Sequence, residues 1–266
     1  LSDSTNRRHR YPFITCTHCG PRYSILTGLP YDRPYTSMES FEMCESCSKE
    51  YTDPFERRYF SQTNSCQTCG IQLALIDPTQ GKINLKQEEV FSHINEALED
   101  DKIIAVKGIG GFLLLCNANS DHAVKTLRER KKRPSKPFAV LFQNTASIES
   151  QFQIGEIEKE LLEGAISPIV LLTKKEAFSP LSKHIAPGLE SIGAMIPYAP
   201  LLELISSNFK GPMVATSANL SGAPIVHGEE LEGLFQLADF IVDHNRVITF
   251  PQDDSVVQFS PSHKRP

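Results

Sequence analysis

The sequence predicts an α/β (α+β) protein in which a twisted mixed sheet with flanking helices follows a small zinc-finger region built on four-cysteine sites. Three C-x-x-C pairs fall within the first 76 residues. Beyond residue 82, short apolar runs alternate with stretches of helical periodicity. The strand-like runs outnumber clean strand–helix–strand units, which favours a mixed sheet. We therefore expect two domains, 1–76 and 82–266, joined by the turn-rich segment Asp77–Gly81.

Size and charge exclude several classes of function. The chain has 266 residues, a formal net charge of −5 and 40% hydrophobic residues, which is an ordinary soluble composition. The acidic balance argues against a nucleic-acid binder. No apolar run approaches the ~18 residues that a membrane span requires. Because the chain shows no signal peptide and does not begin with Met, we expect an internal piece of a longer cytoplasmic protein.

The cysteines predict zinc rather than disulfides. Six of the seven form evenly patterned pairs, and such C-x-x-C pairs are typical of zinc ligands, especially without an export signal. The seventh, Cys116, lies in an apolar run and is predicted to be a buried small hydrophobe. The three pairs are Cys16/Cys19, Cys44/Cys47 and Cys66/Cys69.

An internal repeat with an offset of 50 residues suggests how the pairs combine. It favours one site of Cys44/Cys47 with Cys66/Cys69, and it leaves Cys16/Cys19 as half a site whose partner pair would lie upstream of Leu1. The alternative joins Cys16/Cys19 to Cys44/Cys47. Four thiolates leave no open coordination position, so the zinc is predicted to be structural. The matched positions are Leu1–Asp3 with Tyr51–Asp53, Arg7–Arg8 with Arg57–Arg58, and Cys16–Gly20 with Cys66–Gly70.

The second domain shows a regular succession of elements. Apolar spacing at Val90, Ile94 and Leu98 predicts a helix, and Asn119–Asp121 offers the N-cap of a second helix that continues through Leu127. Further helices are predicted over Ile154–Leu162, Pro200–Ser206 and Glu229–Gln236, besides Glu88–Glu99. The predicted strands are Ile103–Val106, Phe112–Cys116, Phe138–Phe142, Pro168–Leu172, Ile192–Pro197, Pro212–Thr216, Phe240–Val242 and Ser255–Phe259.

A basic run, Arg128–Lys136, follows the predicted helix and is braced by Pro134 and Pro137. Prolines restrict the chain, so the cations are held in place, and held cations suit a polyphosphate. The alternative is a solvated helix C-terminus whose Lys and Arg residues interact with the macrodipole.

Two further segments carry polar groups next to strands. The hydroxyls and amide of Thr216–Asn219 can contact phosphate or a metal-bound water, or can simply form an N-cap and Asx-turn. Asp253 and Asp254 either ligate Mg²⁺ or form a turn. The sequence contains neither a P-loop nor a Rossmann fingerprint.

Together these motifs resemble the HypF family, the carbamoyltransferases of [NiFe]-hydrogenase maturation. The resemblance rests on C-x2-C-x24-C-x2-C-x18-C-x2-C followed by KGIGGF, RKKRPSKP, TSAN and DDSVV, and it covers nearly the whole chain. It implies the end of a paired zinc-finger region and then a YrdC-like nucleotide-binding domain.

The resemblance also implies an activity. A HypF-like protein would use ATP, Mg²⁺ and a carbamoyl unit derived from carbamoyl phosphate to make carbamoyl adenylate, and would deliver the carbamoyl group to the C-terminal cysteine of HypE. Structural zinc completes the implied cofactors. Threonylcarbamoyl-AMP synthesis for tRNA modification and a non-catalytic module that binds double-stranded RNA or a protein are the competing interpretations.

The site residues that the resemblance implies fall into three groups. Lys131 and Arg133 match the signature that binds phosphate and stabilises charge at the α-phosphate, with Lys136 beside them. Thr216, Ser217 and Asn219 match the loop that holds nucleotide phosphate or Mg²⁺. The strand-turn that takes the small carbamoyl substrate is matched by Lys107, Gly108, Gly110 and Gly111.

Overall fold

A computed structural model of the protein describes residues 1–16, 22–83, 85–176, 181–220, 222–228 and 231–259. Its centre is one mixed sheet with the strand order β11-β7-β8-β5-β9-β4-β3-β10-β1-β2, and β6 pairs with β7. The strands are β1 (Leu73–Asp77), β2 (Gly81–Ile83), β3 (Ile104–Lys107), β4 (Phe112–Asn117), β5 (Ala139–Leu141), β6 (Phe152–Gln153), β7 (Ile169–Lys174), β8 (Ser191–Met195), β9 (Met213–Ser217), β10 (Phe240–His244) and β11 (Val256–Val257).

Helices flank this sheet, and short 3₁₀ turns connect parts of the chain. The α-helices are α1 (Glu45–Thr52), α2 (Gln87–Glu99), α3 (Asp121–Lys131), α4 (Thr145–Glu149), α5 (Glu156–Glu163) and α6 (Pro200–Phe209). The 3₁₀ turns are Tyr23–Ile25, Arg33–Tyr35 and Glu232–Gln236. Within the described residues, no helix is long and apolar enough to cross a bilayer.

Both faces of the sheet are buried because side chains alternate along its central strands. On β4, Leu114 and Cys116 face a core shared with α3, whereas Leu113 and Leu115 face a core shared with α2 and α6. This three-layer arrangement confirms the predicted fold class, and the buried Cys116 is the small hydrophobe that the sequence indicated.

Several element boundaries differ from those expected. The last strand is only two residues long, and the helix predicted from Glu229 is a 3₁₀ turn at Glu232–Gln236, with residues 229 and 230 outside the described part of the chain. The predicted joint at Asp77–Gly81 is the turn of the β1–β2 hairpin. Strand β1 pairs with β10, so the sheet already begins at Leu73, before the predicted boundary at residue 76. The division into domains 1–76 and 82–266 stays a prediction.

The repeat in the N-terminal region has a structural counterpart. Arg10 and Phe60, which are 50 positions apart, both adopt left-handed backbone conformations, with φ of 56° and 51°. Arg8 donates from Nε to the carbonyl oxygen of Ser65 at 2.7 Å, and Arg58 donates to the carbonyl oxygen of Thr15 at 3.0 Å. Each repeat therefore directs an arginine to the residue that precedes the first cysteine of the other repeat, and the two units interlock.

Candidate functional site

The four sulfurs of Cys44, Cys47, Cys66 and Cys69 come together, all within 4.8 Å of one another. The separations are 3.8 Å for Cys44–Cys66 and Cys66–Cys69 and 3.6 Å for Cys47–Cys69. A tetrahedral zinc with Zn–S bonds of about 2.3 Å has sulfur–sulfur edges of about 3.8 Å. The set therefore fits zinc, and it is the pairing that the repeat favours.

The cysteines of this cluster differ in their acidity. Burial raises the pKa of Cys66, but N–H donors from Thr68 and Cys69, together with hydrogen bonds from neighbouring thiols, bring it to about 6, whereas burial raises the pKa of Cys47 to about 12. Arg7 and Arg8 donate to the sulfur of Cys47 at 3.2 and 3.4 Å. Four thiolates and one Zn²⁺ carry a charge of about −2. The two arginines offset part of it, because both also form ion pairs with Glu50.

The predicted half-site is only partly described. Cys16 is exposed, and Cys19 lies outside the described residues. Thus the prediction that Cys16 and Cys19 contribute two ligands to a second zinc stays a prediction.

The ammonium of Lys131 is fully buried and lies under the loop after β9. It donates to the carbonyl oxygens of Ser217 at 2.6 Å and Asn219 at 2.7 Å, and to Oδ1 of Asn219 at 3.2 Å. An ammonium has three N–H donors, and these contacts occupy them. In this structure Lys131 joins α3 to the Ser217–Asn219 loop, so it positions the loop.

The basic run begins in the last turn of α3 and continues from Lys132 as a loop that backbone contacts hold in place. Arg128 donates to the carbonyl oxygens of Arg133 (2.7 Å) and Lys136 (3.2 Å), and its guanidinium lies 4.6 Å from the ring centre of Phe138. Arg133 donates to the carbonyl oxygens of Lys136 and Pro137 and lies 5.0 Å from the same ring. The sequence analysis missed this role of Arg128, although its spacing from Val124 already placed it on the buried face of α3.

A cleft of about 310 Å³ opens beside this loop. Arg133 and Lys136 line one part of it, Thr216 and Ser217 another. The Arg133 guanidinium comes within 3.5 Å of Oγ1 of Thr216. Asn219 is turned into its own loop, where its amide donates to the carbonyl oxygen of Ala223 and its Oδ1 accepts from Ser217 Oγ at 2.9 Å.

Asp253 and Asp254 line the same cleft, and the carboxylate of Asp253 interacts electrostatically with Arg133. Burial and the neighbouring charge of Asp253 raise the pKa of Asp254, a hydrogen bond with Tyr198 opposes them, and the net pKa is about 6. The cleft thus combines cations and hydroxyls with two carboxylates, one of which lacks a compensating charge. Tyr198 was not singled out from the sequence, and no spacing signal marks it.

The glycine turn between β3 and β4 packs closely against two other segments of the chain. A Cβ on Gly110 would lie 2.4 Å from the carbonyl oxygen of Gln252, and one on Gly111 would lie 2.6 Å from Ile225. Lys107 forms an ion pair with Asp243 at 3.0 Å. Gly110 and Gly111 therefore allow the 225 and 252 segments to approach closely, and Gly110 places the segment that carries Asp253.

Lys107 and Gly108 line a second, smaller cavity, which is separate from the cleft. Of the ten residues proposed for the nucleotide and small-substrate sites, Arg133, Lys136, Thr216 and Ser217 meet in the cleft, and Lys131 supports them. Asn219, through its hydrogen bonds, and the glycines, through close packing, position backbone segments around the cleft.

Comparisons with known proteins agree with both parts of the chain. The family model Sua5_yciO_yrdC, described as telomere recombination, matches residues 96–266, and a HypF finger model matches residues 1–26 and 43–76. The carbamoyltransferase HypF of Synechocystis sp. is 45% identical over 260 residues, which are 97% of this chain and 34% of that protein. Its counterpart from Rhodobacter capsulatus is 42% identical over 257 residues, 96% of this chain and 34% of that protein.

A solved structure is similarly close. Full-length HypF, crystallised in a phosphate- and nucleotide-bound form, aligns with a TM-score of 0.91 at 44% identity, over 97% of this chain and 34% of that one. The chain therefore spans about a third of the length of these relatives.

Proposed function

This chain belongs to the Sua5/YciO/YrdC family and carries the zinc finger of HypF carbamoyltransferases, and from this premise we propose that it forms carbamoyl adenylate from ATP and a carbamoyl unit. The observation that carries the proposal is a single cleft lined by two cations, two hydroxyl residues and two carboxylates: Arg133, Lys136, Thr216, Ser217, Asp253 and Asp254. Such a site offers cations to phosphates and carboxylates to a divalent metal.

The basic side of the cleft suits the triphosphate. Arg133 is held by two backbone carbonyls and by the ring of Phe138, so its guanidinium binds phosphate oxygens without losing much freedom. Lys136 adds a point charge, and Thr216 and Ser217 add hydroxyl donors. Lys131 contributes indirectly because it fixes the loop that carries Ser217.

The acidic side of the cleft suits Mg²⁺. Carboxylate and hydroxyl oxygens are its preferred protein ligands, and Asp253, Asp254 and Thr216 offer them in one place. The raised pKa of Asp254 reflects burial and the neighbouring charge of Asp253, which a divalent cation would offset. When bound, the metal supplies charge neutralisation for the triphosphate.

The proposed step is attack of a carbamate oxygen on the α-phosphorus of ATP. The new bond joins that oxygen to phosphorus, the bond from the α-phosphorus to the bridging oxygen breaks, and pyrophosphate leaves with the electron pair. The carbamate oxygen is already anionic, so no proton has to be removed. Catalysis then rests on positioning and on fixed cations such as Arg133.

We further propose that this step serves a longer HypF-like enzyme. Its carbamate would come from carbamoyl phosphate, and its acceptor would be the C-terminal cysteine of a HypE-like protein. A reducing cytoplasm would keep the cysteines available for structural zinc.

The test is pyrophosphate release by the 266-residue chain with ATP, Mg²⁺ and freshly dissolved ammonium carbamate. We expect release to fall at least about 100-fold in Arg133→Met, since a fixed cation contributes several kcal/mol to an anionic transition state. Lys125→Met, which removes an exposed charge on α3, is the control and should keep wild-type rates. Release that depends on threonine and bicarbonate instead would identify a threonylcarbamoyl-AMP synthase and contradict the proposal.

A further inference from the structure

The two carboxylates of the cleft lie on a stretch without regular secondary structure. Strand β10 ends at His244 and β11 begins at Val256, and Asp253 and Asp254 fall between them. A loop holds its side chains in place only where other parts of the chain support it. The contacts of residues 249–252, which lead to Asp253, therefore bear on where the carboxylates lie.

The first support comes from the 3₁₀ turn Tyr23–Ile25 of the N-terminal region. The carbonyl oxygen of Ser24 accepts the N–H of Thr249 at 2.6 Å and that of Phe250 at 3.3 Å. The rings of Tyr23 and Phe250 stack, with centroids 4.7 Å apart and an angle of 17° between their planes. Near-parallel pairs at this separation are a favoured arrangement of aromatic rings. The turn thus contacts the loop through its backbone and through a ring.

The turn itself is fixed within the N-terminal region. Ile25 is fully buried in the small core there, and its carbonyl oxygen accepts the N–H of Ser37 at 2.8 Å. Leu26, which follows the turn, forms an isolated antiparallel bridge with Thr36. Tyr23 and Ser24 therefore meet the loop from a fixed position.

The second support lies at Gln252, next to Asp253. The Gln252 N–H donates to the carbonyl oxygen of Gly110 at 2.9 Å, and a Cβ on Gly110 would lie 2.4 Å from the Gln252 carbonyl oxygen. Beyond the carboxylates, the carbonyl oxygen of Ser255 accepts the N–H of Ile169 at 2.8 Å. The carboxylates thus lie between the glycine turn and β7, and the contact with the N-terminal region sets the direction from which the chain enters this span.

The exposure of the two stacked rings indicates what the stack does. Tyr23 is 55% exposed and Phe250 is 40% exposed. Rings that keep this much contact with water contribute little apolar burial to a core. The main effect of the stack is therefore to fix the loop against the turn. Tyr23 is not among the described residues that line the cleft, so its effect there passes through Phe250.

We infer that the turn Tyr23–Ile25 positions Asp253 and Asp254, which makes the N-terminal zinc-finger region part of the support of the cleft. Tyr23 is a positioning residue in this arrangement, because it acts through Phe250. The consequence, that the stack of Tyr23 and Phe250 sets the Mg²⁺ requirement of the cleft, rests on the proposed function.

Amide hydrogen exchange and the Mg²⁺ dependence of pyrophosphate release test the inference in the 266-residue chain. In Tyr23→Ala, we expect exchange at Thr249, Phe250 and Gln252 to become about three- to tenfold faster, which is the effect of losing one aromatic pair. The Mg²⁺ concentration for half-maximal release should rise at least about threefold and the rate at saturating Mg²⁺ should change less than about twofold, because metal binding is weakened and the later step is not.

Further variants separate this role from a general loss of structure. Phe250→Ala should reproduce both effects, and the double variant should be no more impaired than either single variant, because the same stack is lost in all three. Tyr23→Phe keeps the ring and should behave as the wild type. Tyr35→Ala removes another half-exposed ring, in the neighbouring turn Arg33–Tyr35, and is the matched control that should change neither measurement.

The results that overturn the inference differ from those that overturn the proposed function. Unchanged exchange at Thr249 and Phe250 in Tyr23→Ala would overturn the inference, and so would faster exchange with an unchanged Mg²⁺ dependence. An equal response of Tyr35→Ala would overturn it as well, since the effect would then be one of stability of the N-terminal region. A wild-type chain that releases no pyrophosphate would contradict the proposed function, and hydrogen exchange would still decide whether the turn holds residues 249–252 in place.

Discussion

Lys131 and Asn219 are 88 positions apart, yet the Lys131 ammonium donates at 2.7 Å to the Asn219 carbonyl oxygen and at 3.2 Å to its side-chain oxygen. The contact joins the end of α3 to the loop after β9. The basic residues of the cleft, Arg133 and Lys136, follow α3, and its hydroxyl residues, Thr216 and Ser217, end β9. Because the ammonium is buried, its contribution to phosphate binding in this structure passes through the geometry of the loop.

Replacing Lys131 with Met should disable the cleft while the rest of the fold persists. The carbonyl oxygens of Ser217 and Asn219 would lose a charged donor, which we expect to lower the free energy of unfolding by about 1–3 kcal/mol. Pyrophosphate release should fall at least about tenfold, and zinc content should not change. Denaturant unfolding, zinc analysis and the release assay measure the three effects. Unaltered release would mean that the loop does not need this contact.

The same lysine gives a pH dependence of stability. Burial, followed by Arg133, lowers the pKa of Lys131 from 10.5 to about 8. Between these two values the unfolded chain binds this proton more tightly than the folded chain does, so the contribution of this group to the free energy of unfolding rises with pH. Below about pH 8 that contribution should be constant.

Denaturant titrations of the wild type and Lys131→Met between pH 7 and 10 test this sign. The stability difference between the wild type and the variant should grow across the upper part of the range. A difference that shrinks there would contradict the lowered pKa of Lys131.

The sequence predicted the sheet and the cleft residues better than it predicted what each residue does. The β3 and β4 runs and the Ser120 cap were confirmed because local apolar spacing and capping determine them. The β1–β2 hairpin was missed because its strands are short and only partly buried. Its position next to β10 depends on pairing across more than 160 residues, for which the local pattern holds no signal.

Roles within the candidate site depend on tertiary contacts. Glycines at 110 and 111 suggested close approach of a substrate, but their close neighbours are Gln252 and Ile225. Helical spacing from Leu127 placed Lys131 on the buried face of α3, and this signal was available in the sequence. The composition of the basic run concealed it, because a run of cations is usually solvated.

The zinc site should hold the N-terminal region together. Among the residues that the structure describes there, the small core has four buried hydrophobic side chains, those of Ile25, Met38, Phe41 and Ile71. Cys66→Ser should lower zinc content by one equivalent and remove hydrogen-exchange protection in this region, since binding of structural zinc contributes folding free energy directly. Cys116→Ala is the matched control because Cys116 lies in the sheet and outside the cluster. Equal protection in wild type and Cys66→Ser would show that the fold does not depend on the metal.

Gly110 should matter through the acidic side of the cleft. In Gly110→Ala the new Cβ would lie 2.4 Å from the carbonyl oxygen of Gln252, so the backbone that precedes Asp253 must move. Overpacking of this kind typically lowers the free energy of unfolding by about 1–3 kcal/mol. We expect the variant to need a higher Mg²⁺ concentration for pyrophosphate release, because Asp253 and Asp254 shift. Gly228→Ala, where the added Cβ meets nothing within 4 Å, should match the wild type in both measurements. If Gly110→Ala lowers the free energy of unfolding but leaves the Mg²⁺ dependence of pyrophosphate release unchanged, Asp253 and Asp254 do not bind the metal.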